Sequence, residues 1–249
     1  MMKFKLYLSI IVIAVFFSCS KSESVGGGQL NSSGSGTAGS LARFAIVGDY
    51  LYTVTTTNAK IFDIQDPANP IFKADTPFGV AIETIFPLGN TLFLGSQNGM
   101  YIYDISNPLV PVRQSLYTHI TSCDPVVAND KFAYVTLSTG QNVCNRGLNQ
   151  LEIIDISNKK QPKLLQTIAM SKPQGLALSG NDLFVCDDKV KWFDTSTSPS
   201  LTPKGIINIK AHDAIITGKI LMLVGENGLS QYDFSGAEPK LLSEIRTGN

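Results

Sequence analysis

Five times along this chain an apolar run closes on an aspartate, and no other feature restricts the fold as strongly. The endings are Ile61-Phe62-Asp63, Tyr101-Ile102-Tyr103-Asp104, Ile153-Ile154-Asp155, Trp192-Phe193-Asp194 and Gln231-Tyr232-Asp233. The aspartates stand 41, 51, 39 and 39 residues apart. A period of about 40 with one long outlier marks a tandem array of supersecondary units, each too small to bury both of its faces alone.

Two further anchors keep phase with the aspartates. A Gly- or Asn-led turn opens a β-rich run in Gly48–Val54, Gly89–Gly95, Asn129–Val135, Gly180–Cys186 and Gly218–Val224. Gly and Asn tolerate positive φ, so each turn reads as a tight hairpin. A proline then follows each aspartate by six to nine residues, at Pro70, Pro111, Pro162, Pro203 and Pro239. Proline cannot donate to a sheet ladder and suits the start of an edge strand. Each repeat therefore parses into four strands, in the first copy residues 43–47, 50–55, 59–64 and 71–74. No stripe of helical period occurs after residue 40. Four-stranded antiparallel sheets must stack to bury their faces, and radial stacking gives an all-β, five-bladed β-propeller. The repeats span about residues 41–80, 81–121, 122–171, 172–210 and 211–249. How the ring closes stays open. Blade 5 packs on blade 1, residues 26–40 add a strand, or a dimer caps an open edge.

Composition excludes one large class. Lys+Arg and Asp+Glu are equal at 20 each, in 249 residues that are 43% hydrophobic. There is no basic surface for nucleic acid and no acidic tail.

The N-terminus has a different character. Residues 1–5 are short and positive, residues 6–17 are apolar with one Ser, and Phe16-Phe17-Ser18-Cys19 follows. The apolar run is shorter than the ~20 residues of a bilayer-spanning helix and fits a signal peptide of residues 1–18. A Cys directly after a small residue resembles a bacterial lipobox. That resemblance implies cleavage before Cys19, its lipidation, and attachment to the membrane through the lipid. Ser20 in place of Asp implies the outer membrane of a bacterial envelope. Residues 19–40 are rich in Ser and Gly and read as a flexible tether with an end-to-end distance of roughly 25 Å.

The phrases IFDIQDPANP and YIYDISNPLVP resemble the LVIVD repeat family, and IIDISNKKQP fits apart from Lys159 at the first Pro position. WFDTSTSPSLTP is stretched and QYDFSGAEP is degenerate. The resemblance covers about residues 41–249. It implies an envelope β-propeller and no activity.

Candidate functional residues follow from the parse. The five repeat aspartates read as turn formers, because an Asp at a strand end accepts bonds from N–H groups two or three residues on. Cys123 and Cys144 fall in loops on one face of blade 3, in an oxidising compartment. A disulfide between them would staple the long loop of residues 138–150. Cys186 aligns with Val54, Gly95, Val135 and Val224 and reads as a small buried residue. No CxxC or HxxxH spacing points to a metal, and no motif points to a cofactor. Aligning the residues before the first strands places Arg43, Glu83, Asp124, Gln174 and Asp213 at the channel mouth, with His119 and His212 near it. Two functions fit. One is a binding scaffold that meets a protein or glycan partner through the long-loop face. The other is a glycosidase- or lactonase-like hydrolase using Glu83, Asp124 and Asp213, for which only fold analogy speaks.

Overall fold

The computed structural model describes residues 39–118, 125–139 and 148–247. These residues form five four-stranded antiparallel sheets arranged as a five-bladed β-propeller, with no helix among them. Blade 1 is β1 (Phe44–Val47), β2 (Tyr50–Val54), β3 (Asn58–Asp63) and β4 (Ile71–Pro77). Blade 2 is β5 (Ile82–Leu88), β6 (Thr91–Ser96), β7 (Gly99–Asp104) and β8 (Val112–Thr118). Blade 3 is β9 (Val126–Ala128), β10 (Phe132–Leu137), β11 (Gln150–Asp155) and β12 (Lys163–Ala169). Blade 4 is β13 (Leu176–Ser179), β14 (Asp182–Cys186), β15 (Val190–Asp194) and β16 (Thr202–Ile207). Blade 5 is β17 (Asp213–Thr217), β18 (Ile220–Gly225), β19 (Gly228–Asp233) and β20 (Lys240–Arg246).

The repeat anchors explain the local geometry. Gly48, Gly89, Gly180 and Gly218 all have φ between 53° and 61°, the left-handed conformation that lets the first hairpin turn in two residues. Blade 3 uses Asn129 instead. Its Oδ1 accepts from the N–H groups of Lys131 and Phe132 and its own N–H donates to the Phe132 carbonyl (2.9 Å), so the two turn residues are Asp130 and Lys131. Asp63, Asp104, Asp155, Asp194 and Asp233 each accept from the N–H two residues on, at 2.7–3.0 Å. These bonds hold the carboxyls below the usual range. The main-chain bond dominates at four of them and the Ser106 hydroxyl at Asp104. The third and fourth strands slip register at the same place in every blade, leaving one extra residue on the outer strand.

Four hydrophobic cores hold the sheets together. Blades 1 and 2 share one that includes Tyr52, Ile61, Leu92 and Tyr103, and blades 2 and 3 share Phe93, Ile102 and Val135. Blades 3 and 4 share Tyr134, Ile153 and Val185, and blades 4 and 5 share Phe184, Trp192, Leu221 and Phe234. Each fully buried side chain of this size contributes about 1.5–3 kcal/mol. Among the described residues no such core joins blade 5 to blade 1. The burial of the strands shows the same break. β6, β10 and β14 are buried almost throughout, whereas β2 and β18 alternate between buried and open positions.

A short strap ties the two ends together instead. Ser40, in the stretch read as tether, is 1% exposed. Its hydroxyl donates to Asp213 of blade 5 (3.1 Å) and accepts from the Leu176 N–H of blade 4 (2.7 Å). Two residues on, the Ala42 carbonyl accepts from the Ile85 N–H of blade 2 (3.0 Å). The strap thus touches the inner strands of blades 2, 4 and 5 before the chain enters blade 1.

Candidate functional site

The channel mouth is built where each blade's first strand begins. Across the five blades Arg43, Thr84, Pro125, Gly175 and Asp213 stand opposite Val54, Gly95, Thr136, Cys186 and Val224. Arg43 and Asp213 therefore occupy the expected ring, while Glu83 and Gln174 sit one residue before it. Glu83 falls in the register shift between Ile82 and Thr84. Blade 3 turns at Asp130 and Lys131, one residue later than an Asn129-led turn implies. Cys186 is equivalent to Thr136 rather than Val135, though it is buried as expected. Cys19, His119, Cys123, Asp124 and Cys144 lie outside the described residues.

Asp213 is the most constrained of these groups. Oδ1 accepts from the Ser40 hydroxyl and from the Ala214 N–H (2.9 Å), and Oδ2 from the Leu41 N–H (3.3 Å). Glycines make this approach possible. A Cβ at Gly39 would lie 1.9 Å from Asp213 Oδ2, and one at Gly175 would lie 2.2 Å from Oδ1. Burial pushes the Asp213 carboxyl above its ordinary range, against the pull of those hydrogen bonds. A general base needs a lone pair turned to substrate. Here both oxygens are turned to the chain itself, so the carboxylate is a latch.

The remaining polar residues separate into small groups. Gln174 Oε1 meets His212 Nδ1 at 2.7 Å, and the far ring nitrogen of His212 is 4.0 Å from Glu226. The Gln174 carbonyl accepts from the Thr136 hydroxyl (2.6 Å). Glu83 accepts from the Gln97 amide (3.1 Å) and Arg43 donates to the Ile82 carbonyl (3.3 Å). The structure thus brings Gln174, His212 and Asp213 together at the junction of blades 4 and 5, and gives Arg43 and Glu83 separate partners in blade 2. The sequence concealed Gly39 and Ser40, because a Gly-Ser pair ending a Ser/Gly tract looks like linker.

The channel also holds a cavity of about 430 Å³ formed by the first strands of blades 2 to 5 and their hairpin turns. Its wall is Ile85, Val127, Leu176 and Ala214 with their main chains, and Asp130 is its one charged residue. Among the described residues no three His, Cys, Asp or Glu side chains come together as a metal site.

The comparisons with known proteins fit this architecture. The structure is similar to a periplasmic gluconolactonase of Pseudomonas aeruginosa, at 14% identity and a TM-score of 0.61, covering 81% of this chain and 68% of that one. It is likewise similar to a putative 6-phosphogluconolactonase of Bacteroides uniformis (14%, TM-score 0.62, 82% and 70%). A third is a protein from Lactobacillus plantarum (13%, TM-score 0.63, 79% and 67%). At these identities the likeness is one of fold. No curated protein matches the sequence. The LVIVD repeat matches at residues 37–76, 85–118 and 145–169, within blades 1, 2 and 3. The chain thus carries LVIVD repeats in three of its five blades, and the other two keep the same phase.

Proposed function

We propose that this chain is an envelope lipoprotein whose propeller is a binding scaffold for a protein or glycan partner. The observation that carries this reading is the commitment of Asp213 to the strap. With Glu83 turned to Gln97, the mouth offers no facing pair of free carboxylates among the described residues. Hydrolysis of a glycoside uses two carboxyls roughly 5–9 Å apart, flanking the bond. The solvent-facing His212–Gln174 pair and the loop after β10 are instead suited to recognition.

The test keeps the structured ends of that loop. Thr139 donates to Asn149 through both its N–H (2.8 Å) and its hydroxyl (3.1 Å), so the replacement by a short Gly-Ser link covers residues 140–148 only. Cross-linking in intact cells is expected to capture a partner with the native chain and lose it with the replacement. Capture that survives the replacement counts against this face. The lipid anchor has its own test. Metabolic labelling with an alkyne fatty acid is expected to mark the native chain and to miss Cys19→Ser.

A second reading, hydrolysis of a sugar lactone, is favoured by the two lactonase folds among the similar structures. Glucono-lactone opening by the purified chain, lost in Asp213→Asn or Glu83→Gln, would establish it. No turnover above the uncatalysed rate is expected.

A further inference from the structure

The strap and the channel cavity meet at one level. Ile85 and Leu176 line the cavity, and their N–H groups go to the Ala42 carbonyl (3.0 Å) and the Ser40 hydroxyl (2.7 Å) of the strap. The strap therefore lies on the mouth side of the cavity. From that level the first strands of blades 2 to 5 run on to their hairpin turns, and the cavity follows them as far as Asp130, Gly180 and Gly218. Its volume of about 430 Å³ falls in the range of small-molecule sites.

The wall offers main-chain polar groups as well as apolar surface. β5, β9, β13 and β17 are each the edge of their sheet, so alternate residues turn N–H and C=O toward the channel. In blade 3 the Asn129 N–H bonds inward to Phe132, which turns the main chain of Ala128 to the channel. In blade 4 Gly175 accepts from the Cys186 N–H, and Leu176 and Leu178 face the channel by the same alternation.

Asp130 gives the cavity its charge. It is the first residue of the blade 3 turn and stands where the other blades have Gly48, Gly89, Gly180 and Gly218. One hairpin turn thus carries a side chain at this position, and it is a carboxylate. Among the described residues Asp130 has no hydrogen-bond or ion-pair partner. Across the entrance, Gly180 and Gly218 have open space where a Cβ would stand.

We propose that this cavity binds a small organic cation, which enters between the hairpin turns and rests with its apolar body below the strap and its ammonium at Asp130. An ammonium brings three donors and no acceptor. The Asp130 carboxylate meets one, and the channel-facing carbonyls of Ala128 and Leu178 are acceptors in the same stretch of wall. Contact with Ile85, Val127, Leu176 and Ala214 removes the apolar body from water. An anion of the same shape meets the carboxylate instead and is disfavoured. The site lies at the opposite end of the channel from the loop after β10, so it and the partner face stand or fall separately.

The test titrates the purified full-length chain with probes of one shape and different charge: 2-phenylethylamine, 2-phenylethanol and 3-phenylpropanoate. Calorimetry is expected to show saturable binding of the amine, with the alcohol weaker by about fivefold and the acid weaker still. Asp130→Asn is expected to bring the amine to the level of the alcohol and to leave the alcohol unchanged. Asp130→Lys is expected to invert the order, so that the acid binds better than the amine. Both variants are expected to melt with the native chain, because Asp130 is exposed and ties nothing down. Methyl-labelled chain is expected to show NOEs from the amine's ring protons to Ile85, Val127 and Leu176. A native chain with no saturable binding, whose channel then holds water alone, overturns the proposal. So does an amine preference that survives Asp130→Asn, or a bound amine whose ring shows no NOE to those methyls.

Discussion

Ser40→Ala isolates the strap. The substitution deletes one hydroxyl and leaves the backbone in place, yet it removes two bonds from a site that water does not reach. The Leu176 N–H loses its acceptor at 2.7 Å, and a buried donor left unpaired costs about 1–3 kcal/mol. Asp213 loses a donor at 3.1 Å, and a bond to a charged group contributes about 1.5–3 kcal/mol. Asp213 keeps its bonds from Leu41 and Ala214, so the two losses do not add in full. A net loss of about 2–3 kcal/mol follows. For a domain of this size about 2–4 °C is lost per kcal/mol, which makes a Tm lower by roughly 4–12 °C. Differential scanning calorimetry of Ser40→Ala, Asp213→Ala and the pair reads this directly. The pair is expected to fall short of the sum by about 1 kcal/mol or more, because both variants release the same strap. Ser243→Ala removes an exposed bond to Gln231 and is expected to change stability by less than ~0.5 kcal/mol. A Ser40→Ala chain that melts with the native protein, and a pair that is strictly additive, would refute the strap as the tie between the ends.

Other perturbations probe other parts. Trp192 stacks on Phe184 (5.4 Å), donates to Asp182 (2.9 Å) and lies under the Lys204 ammonium (4.1 Å), so Trp192→Ala is expected to cost about 3–5 kcal/mol in urea unfolding. The five turn aspartates are held low in the folded state. Their contribution is present above the unfolded carboxyl range and is lost as pH falls through their folded values. Asp213 has the opposite sign. Its carboxyl is raised by burial, so the folded state holds the extra proton and stability falls as pH rises between the unfolded and folded values. Unfolding midpoints across pH are therefore expected to show a shallower acid limb in Asp104→Asn and a steeper one in Asp213→Asn. Cys186 is fully buried and its thiol is pushed up by that burial, so peptide mapping is expected to find it alkylated only after unfolding.

Where local chemistry sets the geometry, the residues could be read directly. A positive-φ glycine, an aspartate before an Asx turn and a proline at an edge strand each act within a few residues; four blades follow the first and all five the other two. The first blade shows the fit, with residues 50–55 expected and Tyr50–Val54 found. Register across a blade was harder. Asn129 is the last paired residue before a turn of Asp130 and Lys131 and not its first, so Thr136 and not Val135 holds the Cys186 position. At the mouth, the irregular pairing at Glu83 displaced it from the ring for a similar reason. The strap was not readable at all, because Ser40 owes its role to Asp213, 173 residues away.

The arrangement of four cores and an unpacked fifth seam is best tested by an intrachain distance. Spin labels introduced as unnatural amino acids at positions 53 and 231 of one chain, diluted into unlabelled chain, report it by double electron–electron resonance. Packed sheets face each other at about 10 Å. The account predicts a label separation well beyond that spacing and no short component. A single narrow population at the spacing of packed sheets would contradict it, since the ring would then close on itself through a fifth core.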